Sequence, residues 1–215
     1  MDDKKAHHHR IVSVLEAMNP ELLKDLQCFF CGGTAIALQL NDFRKSVDID
    51  FVCSGVDGYR ELRGLVGQYS MTGLSALFDR PVPQLREVRA DRYGIRSVLD
   101  VGGVPVKFEV IREDRISLDA SFEQLHGVPL IARADAYAHK LLANSDRWGD
   151  RSVLSRDIID LAVMVRSWGH VPLAAEQKVR EAYGDAPTKD FVLAAGRVVD
   201  DERYRKNCFT KHPHK

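Results

Sequence analysis

Residues 31–52 read Cys31-Gly-Gly-Thr-Ala-Ile-Ala-Leu-Gln-Leu-Asn-Asp-Phe-Arg-Lys-Ser-Val-Asp-Ile-Asp-Phe-Val52. The glycine pair Gly32-Gly33 opens a short apolar helix, Thr34–Leu40. A loop over Asn41–Ser46 leads into an apolar strand, Val47–Val52, that carries Asp48 and Asp50. Side chains two apart on a strand point the same way, so the two carboxylates share a face. Carboxylates held side by side call for a hard divalent cation, or one must take a proton. A glycine turn entering a helix N-terminus presents backbone N–H groups to a phosphate. Metal and phosphate cradle together suggest nucleotide chemistry.

Upstream, Leu26–Cys31 reads as a buried strand. Before it comes a helix started by Asn19-Pro20, and before that a helix over Ile11–Met18. Residues 1–9, with the run His7-His8-His9, read as a solvated arm. Downstream, Tyr59–Tyr69 has a helical stripe and residues 70–84 have no clear pattern. Three strands follow at Arg86–Arg89, Ile95–Val101 and Val104–Ile111, the last two joined by a Gly102-Gly103 hairpin turn. On the third, Val106, Phe108 and Val110 face one way and Lys107 and Glu109 the other. Helices then dominate: Ala132–Arg147, a second from a Ser152 cap to Trp168 with Gly169 as its stop, Leu173–Tyr183, Lys189–Val198 and Glu202–Cys208. The expected fold class is α+β, with a mixed-sheet lobe over 1–115 and a helical lobe over 116–215 that completes a cleft.

The 215 residues balance 31 basic against 31 acidic side chains, which argues against a large uniform basic surface. The tail residues Arg203, Arg205, Lys206, Lys211 and Lys215 are a candidate local patch. No apolar run approaches the ~20 residues of a membrane span. The start is charged and carries no apolar signal, so a cytoplasmic location without membrane contact is expected. Cys28 and Cys31 form a C-x-x-C, but Phe29-Phe30 between them and the lack of a second ligand pair favour structural thiols over zinc.

Two-metal phosphoryl transfer needs a third carboxylate on a neighbouring strand. Glu109 is the choice, with Asp100 and Glu113 as rivals and a solvated sheet face shared with Lys107 as the plain alternative. Gly32, Gly33 and Thr34 would hold a triphosphate, helped by Arg44 and Ser46. An aspartate as enclosed by apolar neighbours as Asp50 is costly unless paired or metal-bound.

Gly32-Gly33-Thr34-Ala35, then Arg44-x-Ser46, then Asp48-Ile49-Asp50 resembles the signature of the AbiEii/AbiGii toxin family. That family is the nucleotidyltransferase component of type IV-class toxin–antitoxin systems, within the polymerase-β-like superfamily. Lys140 with Arg147 on one helix, then Arg156-Asp157-Ile158-Ile159-Asp160-Leu161 on the next, matches it independently. The resemblance implies Asp48, Asp50, Lys140 and Asp157 as catalytic residues, with Lys140 on the nucleotide phosphates. It implies Mg²⁺ (or Mn²⁺) as cofactor, an NTP substrate, an RNA acceptor such as a tRNA end, and a cognate antitoxin. Transfer to a protein or small-molecule hydroxyl, or a silent nucleotide-binding module, are the other readings. A plain Lys140–Asp157 ion pair between helices is compatible with all of them.

Overall fold

The computed structural model describes residues 3–67, 70–119 and 121–211. Five strands, β1 (Cys28–Cys31), β2 (Asp48–Cys53), β3 (Gln84–Ala90), β4 (Gly94–Asp100) and β5 (Pro105–Arg112), form one mixed sheet in the order β1-β2-β5-β4-β3. β2 and β5 pair in parallel, and the other neighbours are antiparallel. Gly102 and Gly103 have φ of +63° and +79°, the two positive values that a tight hairpin turn between β4 and β5 requires.

The sheet carries a different apolar core on each face, because every strand alternates. Phe30, Ile49, Phe51, Phe108, Ile95 and Leu99 face one side. They pack against α1 (Asp3–Leu15), α2 (Pro20–Asp25) and α4 (Val56–Val66). The Phe51 ring lies 5.4 Å from that of Phe30 and 6.0 Å from that of Phe108. Each buried aromatic contributes about 1.5–3 kcal/mol. The row pins the register of β1, β2 and β5, since a one-residue slip would turn every side chain to the wrong face.

Phe29, Cys31 and Val52 face the other side, under α5 (Arg133–Arg147), α6 (Arg156–Trp168), α7 (Leu173–Tyr183) and α8 (Ala186–Asp200). This helical layer covers β1 and β2. Chain beyond residue 115 also returns to the first core: a small hairpin of β6 (Gln124–Leu125) and β7 (Val128–Pro129) places Val128 and Leu130 there. The short helix α3 (Gly32–Gln39) and the last helix, α9 (Glu202–Lys211), complete the elements.

Three local expectations change. The N-terminal residues are not a solvated arm: α1 starts at Asp3 and buries His7 and His8. His7 Nε2 lies 3.2 Å from the Val47 carbonyl, His8 Nδ1 lies 2.6 Å from Asp42 Oδ1, and the Ser46 N–H donates to His8 Nε2 at 3.2 Å. Tertiary partners 34 to 40 residues away thus override a polar local sequence. The helix through Asp157 starts at Arg156 and not at Ser152, which sits in a single 3₁₀ turn capped by Asp150. Leu154 and Ser155 have φ of +53° and +51°, and that reversal brings the Ser155 hydroxyl within 3.0 Å of the Tyr204 hydroxyl. Residues 73–77 form a 3₁₀ turn where no pattern was visible. Tyr69 and Lys215 lie outside the described residues.

C-x-x-C on a strand sends its two thiols to opposite faces, and Cys28 and Cys31 join different cores. All four cysteines are buried and free.

Candidate active site

Gly32 has φ +75°, and a Cβ there would lie 2.7 Å from Asp50 Oδ2. At Gly33 a Cβ would lie 2.2 Å from Arg44 Nη2. The pair therefore exists to let backbone approach a carboxylate and a guanidinium. The helix that follows has no side-chain cap, which leaves its first-turn N–H groups to an anion. The Thr34 side chain is fully buried. Its hydroxyl donates to the Asp48 carbonyl at 2.6 Å and lies 2.8 Å from the Ser46 hydroxyl. It ties α3 to β2.

On β2, Asp50 stands opposite Glu109 of β5 and Asp48 opposite Lys107. Among the described residues, neither the Asp48 nor the Asp50 carboxylate makes a hydrogen bond or ion pair. Burial, then the charge of Asp48, push the Asp50 carboxyl up to about 6. Glu109 is engaged: its oxygens accept from Arg96 Nε at 2.6 Å and Lys107 Nζ at 2.5 Å. Burial would raise its carboxyl, but Lys107 and Arg96 outweigh burial and hold it below the ordinary range. Its rivals have other duties. Asp100 accepts the Gly103 N–H in the hairpin at 2.8 Å. Glu113 accepts from Arg115 at 2.9 Å and lies 3.1 Å from His139 Nε2. Among the described residues, no group of three His, Cys, Asp or Glu side chains is gathered as a metal cage.

Across from the carboxylates, α5, α6 and the α3–β2 loop share a buried ionic network. Lys140 Nζ lies 3.0 Å from Asp157 Oδ1 and 2.7 Å from Asp160 Oδ2. Arg147 donates to both Asp157 oxygens at 2.6 and 2.9 Å. Arg44 donates to both Asp160 oxygens at 2.6 and 2.8 Å. Burial alone would raise both carboxyls; Lys140 first, then Arg147 at Asp157 and Arg44 at Asp160, hold them well below the carboxylate range. Three cations meet two carboxylates, so the cluster keeps one net positive charge.

These parts line one cleft of roughly 440 Å³, the size of a small-ligand site. It brings together Gly32, Gly33, Arg44, Ser46, Asp50, Glu109 and Lys140. Thr34, Asp48 and Asp157 do not line it. Lys107, Arg115, His139 and Arg156 also line it and were not singled out as site residues from the sequence. Asp160 belongs to the Arg156–Leu161 motif and shares a helix face with Asp157, but it was given no site role from the sequence.

Asp50 and Glu109 beside an uncapped helix start thus share one cleft with Arg44, Lys140 and Arg147. The chain belongs to the AbiEii family, nucleotidyl transferase toxins of type IV toxin–antitoxin systems, whose family model matches residues 13–210. It is a nucleotidyltransferase of mixed α+β fold, and its family implies an NTP substrate and an antitoxin partner. Similar solved structures include JHP933 from Helicobacter pylori, with 11% identity, 93% of this chain and 97% of the other covered, and a TM-score of 0.40. A putative nucleotidyltransferase from H. pylori shows 11% identity over 91% and 98%, with a TM-score of 0.39. MenT4, a nucleotidyltransferase toxin from Mycobacterium tuberculosis H37Rv, shows 16% identity over 96% and 90%, with a TM-score of 0.31. No curated protein matches the chain in sequence. Among the described residues, no helix is long and apolar enough to cross a membrane.

Proposed function

We propose that the cleft binds an NTP with Mg²⁺ (or Mn²⁺) and transfers its nucleotide to a hydroxyl of an RNA acceptor, such as a tRNA end, in the cytoplasm. The observation that carries this is Asp50. Its carboxyl is held at about 6 by burial and by Asp48, without a hydrogen bond or ion pair among the described residues, against a glycine turn. The donor set of Asp48 and Asp50 is hard, anionic and on one face, which fits a divalent cation. Glu109 would join them once Arg96 and Lys107 turn to the incoming phosphates. A cation held there would neutralise charge on the phosphates as pyrophosphate departs.

The chain's own groups do the rest. The first-turn amides of α3, with Ser46 and Arg44, hold the triphosphate, and Lys140 adds a charge fixed in place by Asp157 and Asp160. Asp157 is a positioning residue, since it reaches the cleft through Lys140 and Arg147. The acceptor oxygen bonds to the α-phosphorus, the bond to pyrophosphate breaks, and the acceptor's proton passes to a base for which Glu109 is the candidate. The cleft, at roughly 440 Å³, admits a nucleotide and leaves the acceptor to enter from outside.

Incubation with each labelled NTP and total RNA tests this. Label should appear in RNA with the wild type and be lost with Asp48→Asn. No transfer by the wild type, or undiminished transfer by the variant, overturns it.

A further inference from the structure

The helical layer packs on the β1–β2 half of the sheet's active face; among the described residues, none from β5, β4 or β3 belongs to that core. Partners in register share a face, so one row runs straight across it: Asp50 opposite Glu109, Glu109 opposite Arg96, and Arg96 opposite Arg89. At about 4.8 Å per strand the row reaches about 14 Å from Asp50 to the sheet edge. Arg86, opposite Val98, faces the same way, because Val98 and Arg96 are two apart on β4.

This arrangement depends on a bulge. In a regular strand, residues 86 and 89 point to opposite faces. Here the register shifts between Arg86 and Arg89, so three steps on β3 match two on β4 and both arginines reach the active face. The Ser97 hydroxyl donates to the Arg86 carbonyl at 2.9 Å and secures a backbone group at the irregularity. Bulges beside active sites re-aim side chains in this manner.

The row is also electrostatically uneven. Arg89 directly opposite Arg96 is a like-charge pair, which is unfavourable unless an anion lies over it. Arg96 is partly answered by Glu109 at 2.6 Å and Asp91 at 3.4 Å. Arg86 and Arg89 are exposed and, among the described residues, have no hydrogen-bond or ionic partner.

From this geometry we infer that Arg86 and Arg89, continuing from Arg96, form a track for the phosphodiester backbone of the acceptor RNA, leading its reactive end to Asp50 and Glu109. This rests on the nucleotidyl-transfer reading above and adds the surface that holds the acceptor. An exposed edge fits a polyanion better than a free nucleotide, because the charges form a line and not a pocket.

The test uses the full chain, a fluorescein-labelled single-stranded oligouridylate for binding, and total RNA with labelled NTP for transfer. Variants are Arg86→Ala/Arg89→Ala and the charge-keeping Arg86→Lys/Arg89→Lys. Each phosphate contact adds about 0.7 to the slope of log affinity against log salt for a single strand. The alanine variant should therefore lose about 1.4 from that slope and bind RNA about tenfold or more weakly. The lysine variant should keep the slope, and both should bind Mg-NTP as the wild type does in calorimetry. Unchanged RNA affinity and slope in the alanine variant overturn the track, as does transfer confined to protein or small molecules. A wild type that binds no Mg-NTP overturns the underlying reading instead, and the track with it.

Discussion

Replacing Asp50 by asparagine keeps the shape and removes the charge. The folded carboxyl is raised from 3.8 to about 6, by burial first and Asp48 second. A raised folded value favours the protonated folded state. That contribution is full below the unfolded value of about 4 and is lost as pH rises through about 6. Above that pH the metal-free wild type therefore carries a penalty that the asparagine variant escapes. At about 1.4 kcal/mol per tenfold change in proton affinity the penalty is about 3 kcal/mol. Residual solvent exposure of the side chain reduces it to about 1–3 kcal/mol. For a chain of this size each kcal/mol moves the melting temperature by about 2–4 °C, so Asp50→Asn should melt about 2–12 °C higher at about pH 8 in chelator. The gap should close at about pH 4. Adding Mg²⁺ should raise the wild-type midpoint and leave the variant unmoved. Calorimetric melts of the two proteins, with and without chelator, decide it. An equal or lower midpoint for the variant at high pH in chelator would refute the claim that Asp50 is a strained, cation-seeking carboxylate.

Asp160→Asn leaves Arg44, Lys140 and Arg147 facing the single carboxylate of Asp157; losing one partner of a buried pair costs about 3–5 kcal/mol, read as a fall in denaturant midpoint. Gly32→Ala combines φ +75° with a Cβ only 2.7 Å from Asp50 Oδ2, so calorimetry should show Mg-NTP binding weakened far more than by alanine at the open position Gly64. His8→Phe keeps bulk in the buried site but loses the Ser46 N–H and Asp42 contacts; the nucleotide KM should rise severalfold with little change in kcat, and an unchanged KM would remove His8 as a support for the Arg44–Ser46 loop.

The parts visible in the sequence are those set by neighbours in the chain. Alternation on β5 put Val106, Phe108 and Val110 inside and Lys107 and Glu109 outside, and burial follows that division. The Leu173–Tyr183 helix matched to the residue, because Pro172 precedes it and Gly184 ends it with φ +65°. What could not be read depends on partners far along the chain. Asp50 and Glu109 meet through a parallel pairing whose register no local pattern encodes. Arg44 finds Asp160 across 116 residues, and His8 finds Ser46 across 38. Arg86–Arg89 reads as an ordinary strand, and only the pairing with β4 reveals the shift that turns both arginines to one side.

The bidentate bond from Arg44 to Asp160 also bears on synthesis. A guanidinium on the α3–β2 loop is settled by a carboxylate made 116 residues later. Until that aspartate has emerged and α6 has docked, Arg44 lacks the counter-charge that it holds in the folded chain, and the loop carrying Ser46 lacks that tie. The glycine turn and both aspartates of β2 are present by residue 50. The Arg44 loop therefore takes its folded position only after α6 has been made and has docked.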